Sequence, residues 1–144
     1  MKICIIGAGA IGGMLGARFS LAGHEVTFVA RGENLRVVAA SGMRLRAADG
    51  SEEHARNIRA VGSIKELSPH DIVILAVKAH QIEAIARDIP HLFHDDTVLL
   101  PMQNGIPWWY FQRLPASPAD GPLGAFVNRR VASADPNGEI SAAI

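Results

Sequence analysis

The stretch KICIIGAGAIGG (residues 2–13) decides the fold expected for this 144-residue chain. It begins with a short apolar, mostly β-branched run, which is typical of a strand buried on both faces. Gly7, Gly9 and Gly12 follow at the spacing G-x-G-x-x-G. Beyond them, apolar residues recur at helical spacing until Gly23, a residue that commonly ends helices. The sequence therefore predicts a strand, a glycine turn and a helix.

Each of these glycines has a physical role in a dinucleotide-binding motif. Gly7 permits a tight turn, Gly9 lets the backbone approach a pyrophosphate, and Gly12 lets the helix pack closely on the strand. The free N–H groups at the start of the helix would then bind the phosphates. The position between a predicted strand and a predicted helix favours this interpretation over a simple glycine turn.

Composition excludes several classes of protein. The length suits one domain covering residues 1–144. The 14 Lys and Arg residues balance the 14 Asp and Glu residues, so no net charge draws the chain to nucleic acid or to an anionic membrane. No apolar run approaches the roughly 20 residues of a membrane span. The single cysteine, Cys4, cannot form an internal disulfide, so we expect a cytoplasmic protein.

The end of the second predicted strand, Glu25–Ala30, suggests which dinucleotide is bound. A ribose-binding acid is expected here, about 20 residues beyond the glycine motif. The residue present is Arg31, whose guanidinium would attract the 2′-phosphate of NADP. We therefore predict NADP, with two alternatives open: Glu33 could turn toward a ribose, and Arg31 could be an ordinary solvated charge.

The third strand-helix unit expected of such a fold is replaced in the sequence by a hairpin pattern. After a short predicted helix (34–40), residues 43–47 and the region 54–61 alternate apolar and polar side chains. Asp49-Gly50 lies between them and is a hairpin turn signal. We expect a β-hairpin with a solvated polar face, on which the arginines are neutralised by nearby acids. Those arginines are Arg44, Arg46, Arg56 and Arg59.

Two later strands are predicted at Asp71–Val77 and Thr97–Met102, and polar residues follow both. In an open parallel sheet, ligands bind beyond the carboxyl ends of the strands, so Lys78 and Asn104 are candidates for a cleft. Asn104 could equally be favoured for its turn geometry alone. His80 is also near a strand end, but there it is more often a structural hydrogen-bonding residue.

His91 and His94 do not form a convincing metal site. They lie three residues apart in a connecting segment with no further ligand pattern. We interpret them as part of a surface loop and predict no metal.

The C-terminal third contains an aromatic segment, Trp108–Phe111, preceded by Pro107 at the expected first turn of a helix. Four consecutive aromatic residues cannot all face one core, so some should contact another domain, a ligand or a second copy of the chain. Residues 126–127 and 129–132 are candidate short strands, and residues 139–144 resemble the opening of a helix that stops early.

Four motifs together resemble the ketopantoate reductase (2-dehydropantoate 2-reductase) family over roughly residues 1–106. They are GAGAIGG (7–13), VARG (29–32), VKAHQ (77–81) and QNGI (103–106). The resemblance implies an α/β fold with a Rossmann-like, doubly wound, mostly parallel sheet, carrying here a β-hairpin insertion. It also implies a C-terminal helical domain, which we expect to be missing from this chain.

Residue roles and activity follow from the same resemblance. The glycine loop would hold the pyrophosphate of NADPH, Arg31 its 2′-phosphate, and Lys78 and Asn104 would contact both cofactor and substrate. The loop residues are Gly7, Ala8, Gly9, Ala10, Ile11 and Gly12. The family's catalytic lysine and substrate-orienting acid belong to the helical domain, so we expect no catalytic residue in this chain and no activity from it alone.

The full enzyme would reduce 2-dehydropantoate to pantoate in pantothenate and coenzyme A biosynthesis. Two other functions stay open: a non-enzymatic module that binds NADP or dimerises through Trp108–Phe111, and a reductase of a different 2-oxo acid.

Overall fold

A five-stranded parallel sheet forms the centre of the first of two units in the computed structural model, which describes residues 1–112 and 124–144. The first unit comprises residues 1–77 and 91–102, and the second comprises residues 78–90 and 103–144. A single domain covering residues 1–144 stays a prediction. Within the described ranges, no helix has the length and apolar character needed to cross a membrane.

The strands and helices of the described residues begin and end as follows. The strands are β1 (Lys2–Ile6), β2 (Glu25–Val29), β3 (Met43–Arg46), β4 (Glu52–Ala55), β5 (Ile58–Val61), β6 (Ile72–Leu75) and β7 (Val98–Pro101). The α-helices are α1 (Ala10–Leu21), α2 (Gly32–Ser41) and α3 (Glu139–Ala143). Short 3₁₀ segments span Ile64–Glu66, Ala79–Gln81 and Gly124–Phe126, and a longer one spans Glu83–Leu92.

The sheet has the strand order β5-β2-β1-β6-β7, and all neighbouring strands are parallel. This confirms the predicted Rossmann-like, doubly wound architecture. The central strands are buried because the sheet is covered on its faces, as their continuous apolar runs require. Within β1, burial raises the pKa of the Cys4 thiol to about 12, so this side chain is a neutral core residue. Pro101 lies on the edge strand β7, where a missing N–H donor is tolerated.

Small residues allow α1 to pack directly against the sheet. A Cβ added at Gly12 would collide with the carbonyl oxygen of Gly7 and would lie 2.9 Å from the Cβ of Ala76. One turn later, a Cβ on Gly16 would collide with the ring of Phe28. The predicted role of Gly12 in close helix–strand packing is therefore confirmed.

The hairpin is confirmed, but its second strand is shorter than predicted. β3 and β4 pair antiparallel, and the turn between them has Gly50 at φ +84°. The expectation that the hairpin extends to Val61 is wrong, because β5 instead pairs parallel with β2 in the main sheet. The apolar side chains of Ile58 and Ala60 pack against the core there. β5 also satisfies backbone groups along β2 that would otherwise be an open edge.

The expected charge pattern changes with this strand assignment. Only Arg44 and Arg46 lie on the hairpin, since Arg59 belongs to β5 and Arg56 to the connection before it. Neutralisation by acids does occur: Arg46 pairs with Glu52 at 2.6 Å. Arg18 of α1 pairs with Glu53, which ties the helix to the hairpin.

The second unit differs from expectation around its aromatic segment. The predicted helix after Pro107 is absent from residues 107–112, which form hydrogen-bonded turns. Trp108 is buried and Phe111 stacks on Phe126, whereas Trp109 and Tyr110 are about half exposed. Some of the four aromatic side chains are therefore buried and others are exposed, as expected for four consecutive aromatic residues that cannot all face one core.

Other expectations for this unit have mixed outcomes. The candidate strands at 126–127 and 129–132 are wrong, because these residues form a 3₁₀ turn and loops. The helix near the C-terminus is confirmed as α3. It is stabilised by the buried Asp135 carboxylate, which accepts hydrogen bonds from the amides of Ile140 and Ser141 at 3.1 and 2.9 Å. Burial alone would raise the pKa of Asp135, but hydrogen bonds from Ser141 and Ile140 and the charge of Arg130 together lower it.

A carboxylate joins β1 to β6 at the amino edge of the sheet. Asp71 accepts a 2.7 Å hydrogen bond from the backbone N–H of Lys2 and contacts His94 Nε2 at 3.3 Å. The hydrogen bond from Lys2, with a smaller contribution from His94, lowers the pKa of Asp71 below the ordinary value of 3.8. The ionised carboxylate is therefore favoured in the folded state.

Replacing Gly12 by Ala should destabilise the fold much more than replacing Gly9 by Ala. A Cβ added at position 12 has no space against the backbone of Gly7, and overpacking of this kind costs about 1–3 kcal/mol or more. Gly9 has open space within 4 Å and a φ of −80°, so its change should cost no more than about 1 kcal/mol at the helix cap. Urea denaturation measures both variants, and equal losses would contradict this account of α1 packing.

Asp71→Asn should reduce stability at neutral pH and should matter less in acid. Because folding lowers the pKa of Asp71, its contribution is present above 3.8 and is lost as the pH falls through the folded-state pKa. The urea midpoints of wild type and variant should therefore converge between about pH 5 and pH 2. Asp95→Asn, at an exposed loop position, is the control. A constant difference between wild type and Asp71→Asn over that range would show that ionisation is not involved.

Candidate functional site

The candidate site lies at the carboxyl edge of the sheet, where the strand order changes direction. From β1 the chain first adds β2 on one side and later β6 on the other, so the switch point lies between β1 and β6. Strand ends are aligned there: Gly7 N–H donates to the Val29 carbonyl at 3.0 Å, and Ala76 N–H donates to the Ile6 carbonyl at 2.9 Å. Ligands of open α/β sheets bind beyond this edge.

The glycine loop leaves β1 at this switch point. Gly7 has φ +111°, a conformation that favours glycine, and a Cβ there would lie 2.9 Å from the carbonyl group of Ala76. The tight turn predicted from the sequence is therefore present.

Gly9 leaves room for a ligand over the start of α1. It is exposed, and an added Cβ would meet no atom within 4 Å. Gly9 is also the N-cap of α1, which has no side-chain cap hydrogen bond and no acidic residue in its first turn. The first N–H groups of a helix lack intrahelical partners and carry partial positive charge. Nothing in the first turn competes with an anion for them, so the loop suits a pyrophosphate.

Arg31 lies one strand away, at the same edge of the same unit. The preceding residue, Ala30, is buried and donates its N–H to the Val61 carbonyl at 3.0 Å, which fixes where the chain leaves β2. Arg31 is the N-cap of α2, with extended backbone and an exposed side chain. The structure thus brings the glycine loop and Arg31 to one sheet edge.

Glu33, the acid that complicates the choice of dinucleotide, is paired. Its carboxylate forms an ion pair with Arg36 one turn along α2. Sequence reasoning missed Arg36, although the spacing of three residues on a helix was a signal, because side chains at i and i+3 are neighbours.

Lys78 and Asn104 belong to the second unit. Lys78 is exposed, and its backbone N–H donates to Gln81 Oε1 at 3.0 Å at the start of a 3₁₀ turn. Asn104 is exposed in a bend, but the left-handed residue of that bend is Gly105, with φ +94°. Asn104 itself does not adopt a left-handed backbone in this turn. This weakens the alternative that asparagine is favoured at position 104 for its turn geometry alone. His80 is exposed in the same 3₁₀ turn as Gln81.

Two cavities open at the opposite, amino edge of the sheet and are separate from the site just described. They have volumes of about 330 and 590 Å³ and share Gly23 and Glu25 in their linings. Within residues 1–112 and 124–144, no group of three or more His, Cys, Asp or Glu side chains is arranged to bind a metal.

Comparison with known proteins places these features in a family. Residues 3–107 match the family model of the ketopantoate reductases PanE and ApbA. A 2-dehydropantoate 2-reductase of Mesorhizobium japonicum is 40% identical over 141 residues, which are 97% of this chain and 40% of that protein. The chain thus spans two fifths of the length of that relative.

Comparison with solved structures agrees with this family match. A protein of Ralstonia solanacearum MolK2 assigned as a ketopantoate reductase superposes with a TM-score of 0.82 at 38% identity, covering 99% of this chain and 41% of that chain. D-mandelate dehydrogenase with NADH and anilino(oxo)acetate gives a TM-score of 0.63 at 33% identity, covering 74% and 34%. The glycine loop, the parallel sheet and the match over residues 3–107 have one explanation: the chain belongs to the ketopantoate reductase family.

Proposed function

We propose that this chain is the NADPH-binding portion of an oxidoreductase that reduces 2-dehydropantoate to pantoate. The observation that carries the proposal is the open space at Gly9, over an uncapped helix N-terminus at the switch point of the sheet. Family membership supports a nicotinamide cofactor, and Arg31 at the end of β2 supports the phosphorylated form.

The proposed roles follow the chemistry of each group. Residues 7–12 hold the pyrophosphate through backbone N–H groups, and Arg31 forms a charge-assisted contact with the 2′-phosphate. When bound, the nicotinamide supplies the hydride. The chain's own contribution is to bind and orient this cofactor at the sheet edge.

Substrate contacts are assigned to the second unit. Asn104 can both donate to and accept from a hydroxyl, and Lys78 can attract a carboxylate. A proton must also reach the developing alkoxide. We assign that step to a group outside residues 1–144, as in the family, so the chain by itself should show no turnover of 2-dehydropantoate. Turnover by the chain alone would contradict this assignment.

A reductase of another 2-oxo acid is the second candidate. The observation that favours it is the similarity to D-mandelate dehydrogenase, which was solved with anilino(oxo)acetate and NADH. The two candidates share the nucleotide site, so substrate assays on a protein containing the helical domain distinguish them.

Arg31→Ala should weaken NADPH binding by about tenfold or more and leave NADH binding nearly unchanged. The reason is the loss of a charge-assisted contact, worth about 1.5–3 kcal/mol, to a phosphate that only NADPH carries. Titration of nicotinamide fluorescence gives both dissociation constants, with Arg46→Ala on the hairpin as the control. An equal loss for both cofactors would remove the 2′-phosphate assignment.

Gly9→Ala should weaken the binding of both cofactors, because the new methyl group occupies the space proposed for the pyrophosphate group that NADPH and NADH share. We expect about a tenfold loss or more for NADPH and NADH alike, equivalent to about 1.4 kcal/mol or more. Circular dichroism verifies folding, and Arg46→Ala on the hairpin provides the negative control. Unchanged affinity for both cofactors would show that the pyrophosphate does not approach Gly9.

A further inference from the structure

The first turns of α2 hold two arginines and one acid beside the proposed 2′-phosphate subsite. Arg31 is the N-cap, Glu33 lies in the first turn, and Arg36 pairs with Glu33. Both members of the pair are exposed, with 77% of the Arg36 side chain and 67% of the Glu33 side chain accessible. No structural role in the core explains Arg36.

Glu33 poses a problem for a phosphate bound by Arg31. Glu33 is only two residues beyond Arg31, and both side chains are exposed at the start of α2. A carboxylate at this short separation attracts the guanidinium through its opposite charge. If nothing held Glu33 elsewhere, its carboxylate would approach Arg31 and compete with a 2′-phosphate for the guanidinium.

We propose that Arg36 is a positioning residue for cofactor choice: it holds Glu33 along α2 and keeps Arg31 available for the 2′-phosphate. The inference rests on the proposed function, since it requires NADPH at this edge. The carboxylate is turned toward the second helical turn because neighbours at i and i+3 meet on the helix surface. Glu33 thereby still complements the positive N-terminus of the helix without opposing the ligand.

This role differs from that of a second phosphate-binding arginine. An independent charge would strengthen NADPH binding by the same factor whether or not residue 33 is acidic. A residue that acts by restraining Glu33 has its effect only while that carboxylate exists. A double-mutant cycle between positions 33 and 36 separates the two cases.

The experiment measures dissociation constants for NADPH and NADH with wild type, Arg36→Ala, Glu33→Gln and the double variant of the 144-residue chain. We expect Arg36→Ala to weaken NADPH binding about threefold to fivefold at low salt, and by less at higher salt because salt screens the charges. The affinity for NADH should change little. In the Glu33→Gln background, Arg36→Ala should have almost no further effect, and Arg36→Lys should restore most of the NADPH affinity.

Arg46→Ala is the matched control, because Arg46 is also 77% exposed and also pairs with a glutamate, on the hairpin. It should leave both affinities unchanged. Equal losses from Arg36→Ala in the two backgrounds would overturn the inference while leaving the proposed function intact. A wild-type chain that binds NADPH no better than NADH would overturn both.

Discussion

The close approach of α1 to β1 is the constraint on which the remaining structure depends. The contact is possible because Gly12 faces the Gly7 carbonyl with no side chain between them. It sets the direction in which the helix leaves the sheet, and therefore where its unpaired N–H groups point. The same geometry that buries apolar surface on the sheet thus aims a positive helix end at the switch point. Core packing and the orientation of these N–H groups are here two results of one contact.

Charge at this edge complements the glycine loop. In the proposed NADPH site the loop offers only backbone groups, which bind any pyrophosphate, so discrimination between dinucleotides would depend on the side chains that follow β2. Arg31 and the Glu33–Arg36 pair stand there, on a helix whose start is fixed by the buried Ala30. Under the proposed function, affinity for the cofactor and selectivity between dinucleotides would therefore come from different chain segments, joined by one sheet.

Local patterns predicted the elements well where the deciding contacts are local. The glycine turn, α1 and the Asp49-Gly50 hairpin turn follow from short-range chemistry. The assignment of residues 58–61 failed because alternation is equally compatible with a hairpin strand and with the edge of the main sheet, and only β2 as a neighbour decides. The prediction of a helix after Pro107 failed for a related reason: a helix-start signal does not outweigh the packing of Trp108 and Phe111. The Glu33–Arg36 ion pair was missed, although its spacing of three residues on a helix was a signal.

Burial of Cys4 in the central strand has a practical consequence. It is the single cysteine of the chain and its side chain is fully buried, so alkylating reagents have no access to it in the folded protein. A cysteine introduced at an exposed position, such as Ser51 at the hairpin turn, would be the one site that a maleimide dye labels. Fluorescent reporters can thus be attached without removing the native thiol, and delayed labelling of Cys4 in denaturant would report opening of the sheet.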